Sequence, residues 1–281
     1  LKAGGDIKNG GNISVGTDAN IEGKSFISEI MTVGQDLIAK VQNAFESKSL
    51  RVQRDMTLEA ANAKFTEELD IGRNATINIK GNNPGNVVFG TDGKTETDPK
   101  ESDVNITGNL TITGGGLENK LNTAIGGNLS VDKGNNANAK FDNSGKLSIN
   151  GTTNIKTNSF TNSGDILTKN KMDVDSTSFT NSGQIVNEGK LTVKTGTFNN
   201  QAGGKLINNG TDITATGDIT NAGSIQSKGD LNIKGEKSLT NSGEILIEGA
   251  GQIKVKDSVT NSGKIQAGKS AAQTVNNGSL K

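Results

Sequence analysis

Apolar residues return along this chain at a fixed period, with polar residues and glycine between them. Phe141, Phe160, Phe179 and Phe198 each lie 19 residues apart, and Ile219, Leu239 and Val259 continue the same slot. Two positions after each comes an asparagine: Asn143, Asn162, Asn181, Asn200, Asn221, Asn241 and Asn261, at steps of 19, 19, 19, 21, 20 and 20. Most of these open an Asn-Ser-Gly tripeptide; Asn200-Gln201-Ala202-Gly203 and Asn221-Ala222-Gly223 are degenerate copies. One unit, Ser178–Gly196, divides into three short segments that alternate apolar and polar residues and end at Gly or Asn. Alternation of that kind predicts strands. Gly and Asn tolerate the left-handed backbone of a sharp corner. Three strands and three corners in about 19 residues make one turn of a triangular solenoid.

The first half keeps the period with different markers. Phe26, Phe45 and Phe65 step by 19 and 20. A second motif, small or polar residue, Asn/Asp, then an apolar residue, recurs around Asp36, Asp55, Asn74, Asn109 and Asn128. Over 26–70 a second pattern competes: Phe26, Ile30, Val33, Leu37, Val41 and Phe45 also fit a 3.6-residue helical period. The unchanged marker spacing favours strands there. One stretch, 81–103, breaks the rhythm. It holds Phe89 and both prolines, and the step from Asn74 to Asn109 is 35 residues. Proline is excluded from central strands. The expectation is an irregular coil or a loop standing off the shaft, flanked by β-helix over 1–80 and 104–281.

The expected fold is all-β: a right-handed single-stranded parallel β-helix of about 19–20 residues per coil. Stacking at about 4.8 Å pairs every strand with its copies above and below. The phenylalanines should then form a column inside the tube. The marker asparagines form a second column, serving as a hydrogen-bonded amide ladder, as a left-handed corner, or as both.

Composition narrows function by exclusion. Lys+Arg and Asp+Glu are both 30, so the formal net charge is zero, and the only arginines are Arg51, Arg54 and Arg73. Nucleic-acid binding needs a basic surface, so nucleic acid is not an expected partner. The chain has no Cys and no His. Disulfides, the usual zinc sites and the Ser-His and Cys-His nucleophiles are therefore unavailable. No run reaches the 18 or so apolar residues of a membrane span, and Leu1–Gly5 has no signal-peptide character. The chain reads as an interior segment of something longer.

One constellation invites chemistry. Asp36 and Asp55 should lie on adjacent coils with Arg54 and Arg73 beside them, and two close carboxylates can hold calcium or share a proton. The competing reading is a solvent-facing corner with rim ion pairs, and Glu67, Glu68 and Asp70 read as a solvated face. The sequons at Asn109 and Asn128 follow from the repeat itself. No catalytic, cofactor-binding or metal-binding residue is predicted, and no cofactor.

Gly-Asn-Leu-x-Ile/Val at Gly108–Ile112 and Gly127–Val131, together with Phe-Thr-Asn-Ser-Gly, resembles the filamentous haemagglutinin-type exoproteins of two-partner secretion. The resemblance covers nearly the whole chain apart from 81–103. It implies a secreted or cell-surface protein that leaves through an outer-membrane pore partner and meets a host-cell receptor or glycan. The implied role is a non-catalytic β-helical shaft in adhesion or virulence. Stalks of leukotoxins and of contact-dependent inhibition toxins belong to the same resemblance. A β-helical polysaccharide lyase or hydrolase is the alternative from another class.

Overall fold

The computed structural model describes residues 1–81, 84–91, 103–268, 270–275 and 279–280. The chain divides into two compact units, Leu1–Gly151 and Thr152–Lys281. Each is a parallel β-solenoid, and no helix occurs among the described residues.

In the second unit each turn carries three strand segments. Met172–Asn181 covers two of them and Gln184–Asn187 the third. Inward residues alternate with outward ones: Met172, Val174 and Ser176 are buried, and so are Phe179 and Asn181. The alternation slips by one residue at Thr177–Ser178, where the inward set changes face without the strand ending. The next turn repeats this in register: Met172 pairs with Leu191, Val174 with Val193, Phe179 with Phe198 and Asn181 with Asn200. β-branched and small polar residues suit the outward positions because they pack on a pleated surface and leave the strand intact.

The first unit begins with longer strands. Phe26–Val33, Ala44–Val52 and Asn62–Ile71 each run across two faces. From Val87–Phe89 and Val104–Ile106 onward, these faces carry separate strands. The helical pattern over 26–70 is not realised. Ile30, which a helical stripe would bury, is 42% exposed, while Met31 beside it is buried. That is strand parity after a one-residue slip, and the parallel pairings of Phe26–Val33 with Ala44–Val52 hold it.

The phenylalanine column exists, with one correction. In the second unit Phe160 and Phe179 stack at 4.7 Å with ring planes 1° apart, and Phe179 and Phe198 at 4.9 Å and 3°. In the first unit Phe26 lies over Phe45 at 5.0 Å. Phe65 does not continue that column. Its register partner is Ser47, while Phe45 pairs with Ala63, and Phe65 meets the Phe45 ring obliquely at 5.9 Å and 45°. A register shift between Ser47 and Ser49 places Phe65 two residues along. Two residues is one strand period, so the ring stays inside.

The 35-residue step is also resolved differently. It contains no extra coil: Ala75 pairs directly with Leu110 and Ile71 with Ile106. Val87–Phe89 is an ordinary rung between Ala63–Phe65 below and Leu117–Asn119 above, and Phe89 is fully buried against Phe65. The surplus residues therefore enter between Phe89 and Val104 within a single turn. Residues 82–83 and 92–102 lie outside the described residues.

The glycines of the Asn-Ser-Gly corners work by size and not by left-handed backbone. Among the described residues, positive φ at glycine is confined to Gly81, Gly90, Gly114, Gly134, Gly203 and Gly210. A Cβ on Gly243 would stand 2.0 Å from the carbonyl oxygen of Gly223, and one on Gly263 2.1 Å from that of Gly243. Stacked corners approach too closely for any side chain.

Two outcomes follow. Phe179→Ala leaves a cavity in the column and should cost about 3–5 kcal/mol in denaturant unfolding; an unchanged midpoint contradicts the buried column. Gly243→Ala should lower the melting temperature clearly, whereas Gly10→Ala, where a Cβ meets nothing within 4 Å, should leave it nearly unmoved.

Candidate functional site

The most ordered polar structure in the protein is internal. In the second unit the Nδ2 of Asn162 donates to Oδ1 of Asn181 at 2.8 Å, Asn181 to Asn200 at 2.8 Å, and Asn200 to Asn221 at 2.8 Å. Asn221 to Asn241 and Asn241 to Asn261 follow at 2.7 Å each. Each amide also reaches a corner carbonyl of its own turn, as Asn181 does to Gly183 at 3.1 Å. The backbone carbonyl of Asn162 accepts the N–H groups of Ser182 and Gly183 in the next turn. Asn162, Asn181, Asn200, Asn221 and Asn241 are all fully buried. A buried amide without partners is costly, and stacked copies satisfy one another. Ladder and corner thus occur together. In the first unit Asn119 donates to Asn143 at 2.8 Å. Below them the same slot holds Phe89, Phe65 and Ser47.

A second ladder runs along an outer corner of the first unit. Oδ1 of Asp18 accepts the backbone N–H of Asp36 at 3.1 Å, Asp36 that of Asp55 at 3.0 Å, and Asp55 that of Asn74 at 3.0 Å. Asn74 caps Asn109 and Asn109 caps Asn128 in the same way. The structure does bring Asp36 and Asp55 onto adjacent turns, but each has a task. Arg54 lies 3.5 Å from Asp36 and Arg73 3.5 Å from Asp55. The Asn74 backbone N–H, helped by the Asn74 amide, Arg73 and Arg54 against the opposing effect of burial, holds the Asp55 carboxyl below its ordinary value. A carboxyl sharing a proton with a neighbour would move the other way.

The remaining candidates are ion pairs. Arg51 grips Glu68 with two hydrogen bonds of 2.9 and 2.6 Å, and Ser49 donates to Glu68 at 2.6 Å. Burial pushes the Glu68 carboxyl up, yet Arg51 and Ser49 outweigh it and the net displacement is downward. Glu67 faces Lys48, and Asp70 accepts from Asn105. The sequon residues Asn109 and Asn128 are exposed. Among the described residues no group of three or more Asp, Glu, His or Cys is placed to hold a metal ion. No helix there is long and apolar enough to cross a membrane.

One residue went unnoticed in the sequence. Asn136 is 5% exposed and donates to the carbonyls of Pro84, Gly85 and Gly114 at 3.2, 3.1 and 3.0 Å. It ties three turns of the first unit together from a short loop. Its setting, Gly-Asn-Asn-Ala-Asn, offers no signal that separates it from its neighbours.

Comparison with known proteins decides the family. The haemagglutinin-repeat profile matches residues 1–29, 106–176, 169–223, 212–266 and 246–280. The chain belongs to the haemagglutinin-repeat family. No curated protein and no solved structure matches it. The unmatched span of this haemagglutinin-repeat protein includes the turns in which Ser47, Phe65 and Phe89 fill the ladder slot. The haemagglutinin repeat is thus recognisable where the buried asparagine is present.

Asn181→Ala strands the Asn200 carbonyl oxygen and one proton of the Asn162 amide, and should cost roughly 2–4 kcal/mol; outward Asn199→Ala should cost under about 0.5 kcal/mol. Equal losses from the two contradict the ladder. Asp55 and Glu68 are both held below their unfolded-state values. Their contribution is present above the unfolded carboxyl range and disappears as pH falls through the lowered folded values. Stability should stay level from about pH 7 to pH 5 and drop below about pH 4, less steeply in Glu68→Gln, by chemical unfolding at each pH.

Proposed function

We propose that this haemagglutinin-repeat chain is a non-catalytic shaft segment of a secreted or surface-displayed bacterial exoprotein acting in adhesion. The observation that carries this reading is where the protein places its polar groups. Its buried amides are aligned for axial stacking, and its titratable candidates pair with neighbouring turns instead of converging on a cleft. The Asp36/Asp55 pair, the strongest enzymatic candidate, is occupied by backbone capping and rim arginines. Haemagglutinin-repeat proteins are generally secreted or surface-exposed, which agrees with the reading. Export through an outer-membrane pore and contact with a host-cell receptor or glycan belong to the same proposal.

A solenoid of this kind works by geometry. Parallel strands give axial stiffness, and the outward side chains are free to vary as long as the inward set is kept. The test is binding of the purified chain to cultured epithelial cells, with lysis and bacterial growth inhibition measured alongside. Saturable binding without lysis or inhibition is expected. Lysis or growth inhibition by the chain itself, or product release from polysaccharides that Asp36→Ala with Asp55→Ala abolishes, would overturn it.

A further inference from the structure

The three outward faces of the second unit differ in chemistry. One carries Asp173, Asp175, Lys194, Asp212, Lys234 and Lys254. Another carries Lys205, Glu244 and Lys264 beside Leu167, Val186 and Ile207. The face between them is different. Thr161, Thr180, Asn199, Thr220, Thr240 and Thr260 stand in one row, each in register with the next. A second row, two residues earlier on each strand, holds Ser159, Ser178 and Thr197, then Ser238 and Ser258. The single charge in these two rows is Asp218. Hydroxyls of the second row touch across turns, with Ser258 donating to Ser238 at 3.0 Å.

The chemistry of the rows selects a partner by elimination. A protein partner needs aromatic, Met or Arg anchors, and the phenylalanines of this unit are all on the inside. A lipid surface needs apolar or basic groups, and nucleic acid needs cations. What remains is a neutral ligand that both donates and accepts hydrogen bonds, since a hydroxyl does both. The rows repeat once per turn and are uncharged, which complements a neutral chain whose own hydroxyls repeat. They are also pre-arranged. Threonine has few side-chain rotamers, and the buried Phe column and Asn ladder fix the backbone beneath. Weak contacts at each turn then add along the row.

We propose that this hydroxyl face of the second unit, Thr161 to Thr260, binds a linear neutral polysaccharide laid along the stack of turns. The proposal rests on the adhesive reading and gives it a ligand class. It is tested by native electrophoresis of the purified chain in gels cast with dextran, galactomannan or hydroxyethylcellulose, with heparin and polygalacturonate as charged counterparts. Retardation by at least one neutral polymer is expected. It should persist at about 0.5 M salt, where charge interactions are screened. Thr180→Val with Thr220→Val and Thr240→Val keeps β-branched residues, removes three hydroxyls, and should weaken binding on the order of tenfold. Lys234→Glu with Lys254→Glu, on a neighbouring face, should not change it. If the triple variant loses its circular-dichroism signature, Thr220→Val alone is used and should still weaken binding measurably. No retardation by any neutral polymer, equal retardation of a folded Val variant, or retardation by heparin alone would overturn the proposal. Cell binding that survives intact in the Val variant overturns this face while leaving the adhesive reading standing.

Discussion

Axial register is the constraint on which everything else in this protein depends. A tube only a few side chains wide cannot bury an amide or an aromatic ring by itself. Each inward group is satisfied by its counterpart one turn away. The asparagine ladder shows how strictly this holds. The spacing between successive asparagines varies, yet the amide contact stays at 2.7–2.8 Å. Between Asn200 and Asn221, 21 residues apart, the surplus is taken up at Gln201–Gly204, where Gly203 adopts a φ of 87°. Corners absorb length so that strands need not slip. A one-residue slip would turn every buried side chain of that strand outward.

This division of labour separates stability from recognition. Inward positions are held by packing and by amide partners, and glycines sit where corners touch. Outward positions carry little energetic burden, because exposed ion pairs such as Lys48 with Glu29 and Glu67 are worth little. The faces can therefore diverge in chemistry at small cost. One face of the second unit has become charged, one partly apolar and one rich in hydroxyls. For a haemagglutinin-repeat protein, such faces are where binding differences between chains with a common interior would arise.

The solenoid was legible in the sequence wherever one residue type fills one slot. Phe160, Phe179 and Phe198 announced a column, and the Asn-Ser-Gly markers announced the ladder. Reading failed where the slot was kept but its occupant changed. Phe65 falls 20 residues after Phe45 by coincidence: it occupies the asparagine slot, and strand parity alone keeps it inside. Phe89 was hidden by the insertion that follows it, because a count of residues cannot tell an added coil from a long corner. The corner glycines were recognised for the wrong reason, since a clash with the turn below leaves no mark within a single repeat. Asn136 was invisible because its three carbonyl partners come together only when distant turns are stacked. The outer pair Asp36 and Asp55 was placed correctly by spacing. Its backbone-capping role depends on strand direction and corner geometry, which spacing does not contain.

The stacking itself is tested most directly by cross-linking in a chain that has no cysteine of its own. Thr161 and Thr180 face outward on neighbouring turns, in register, and Asn199 stands one turn further on. Strands about 4.8 Å apart are within disulfide reach, whereas strands two turns apart exceed the limit of about 7 Å. Thr161→Cys with Thr180→Cys should oxidise to an intramolecular disulfide, and Thr161→Cys with Asn199→Cys should remain reduced. Equal cross-linking of both pairs, or of the second alone, would contradict the account.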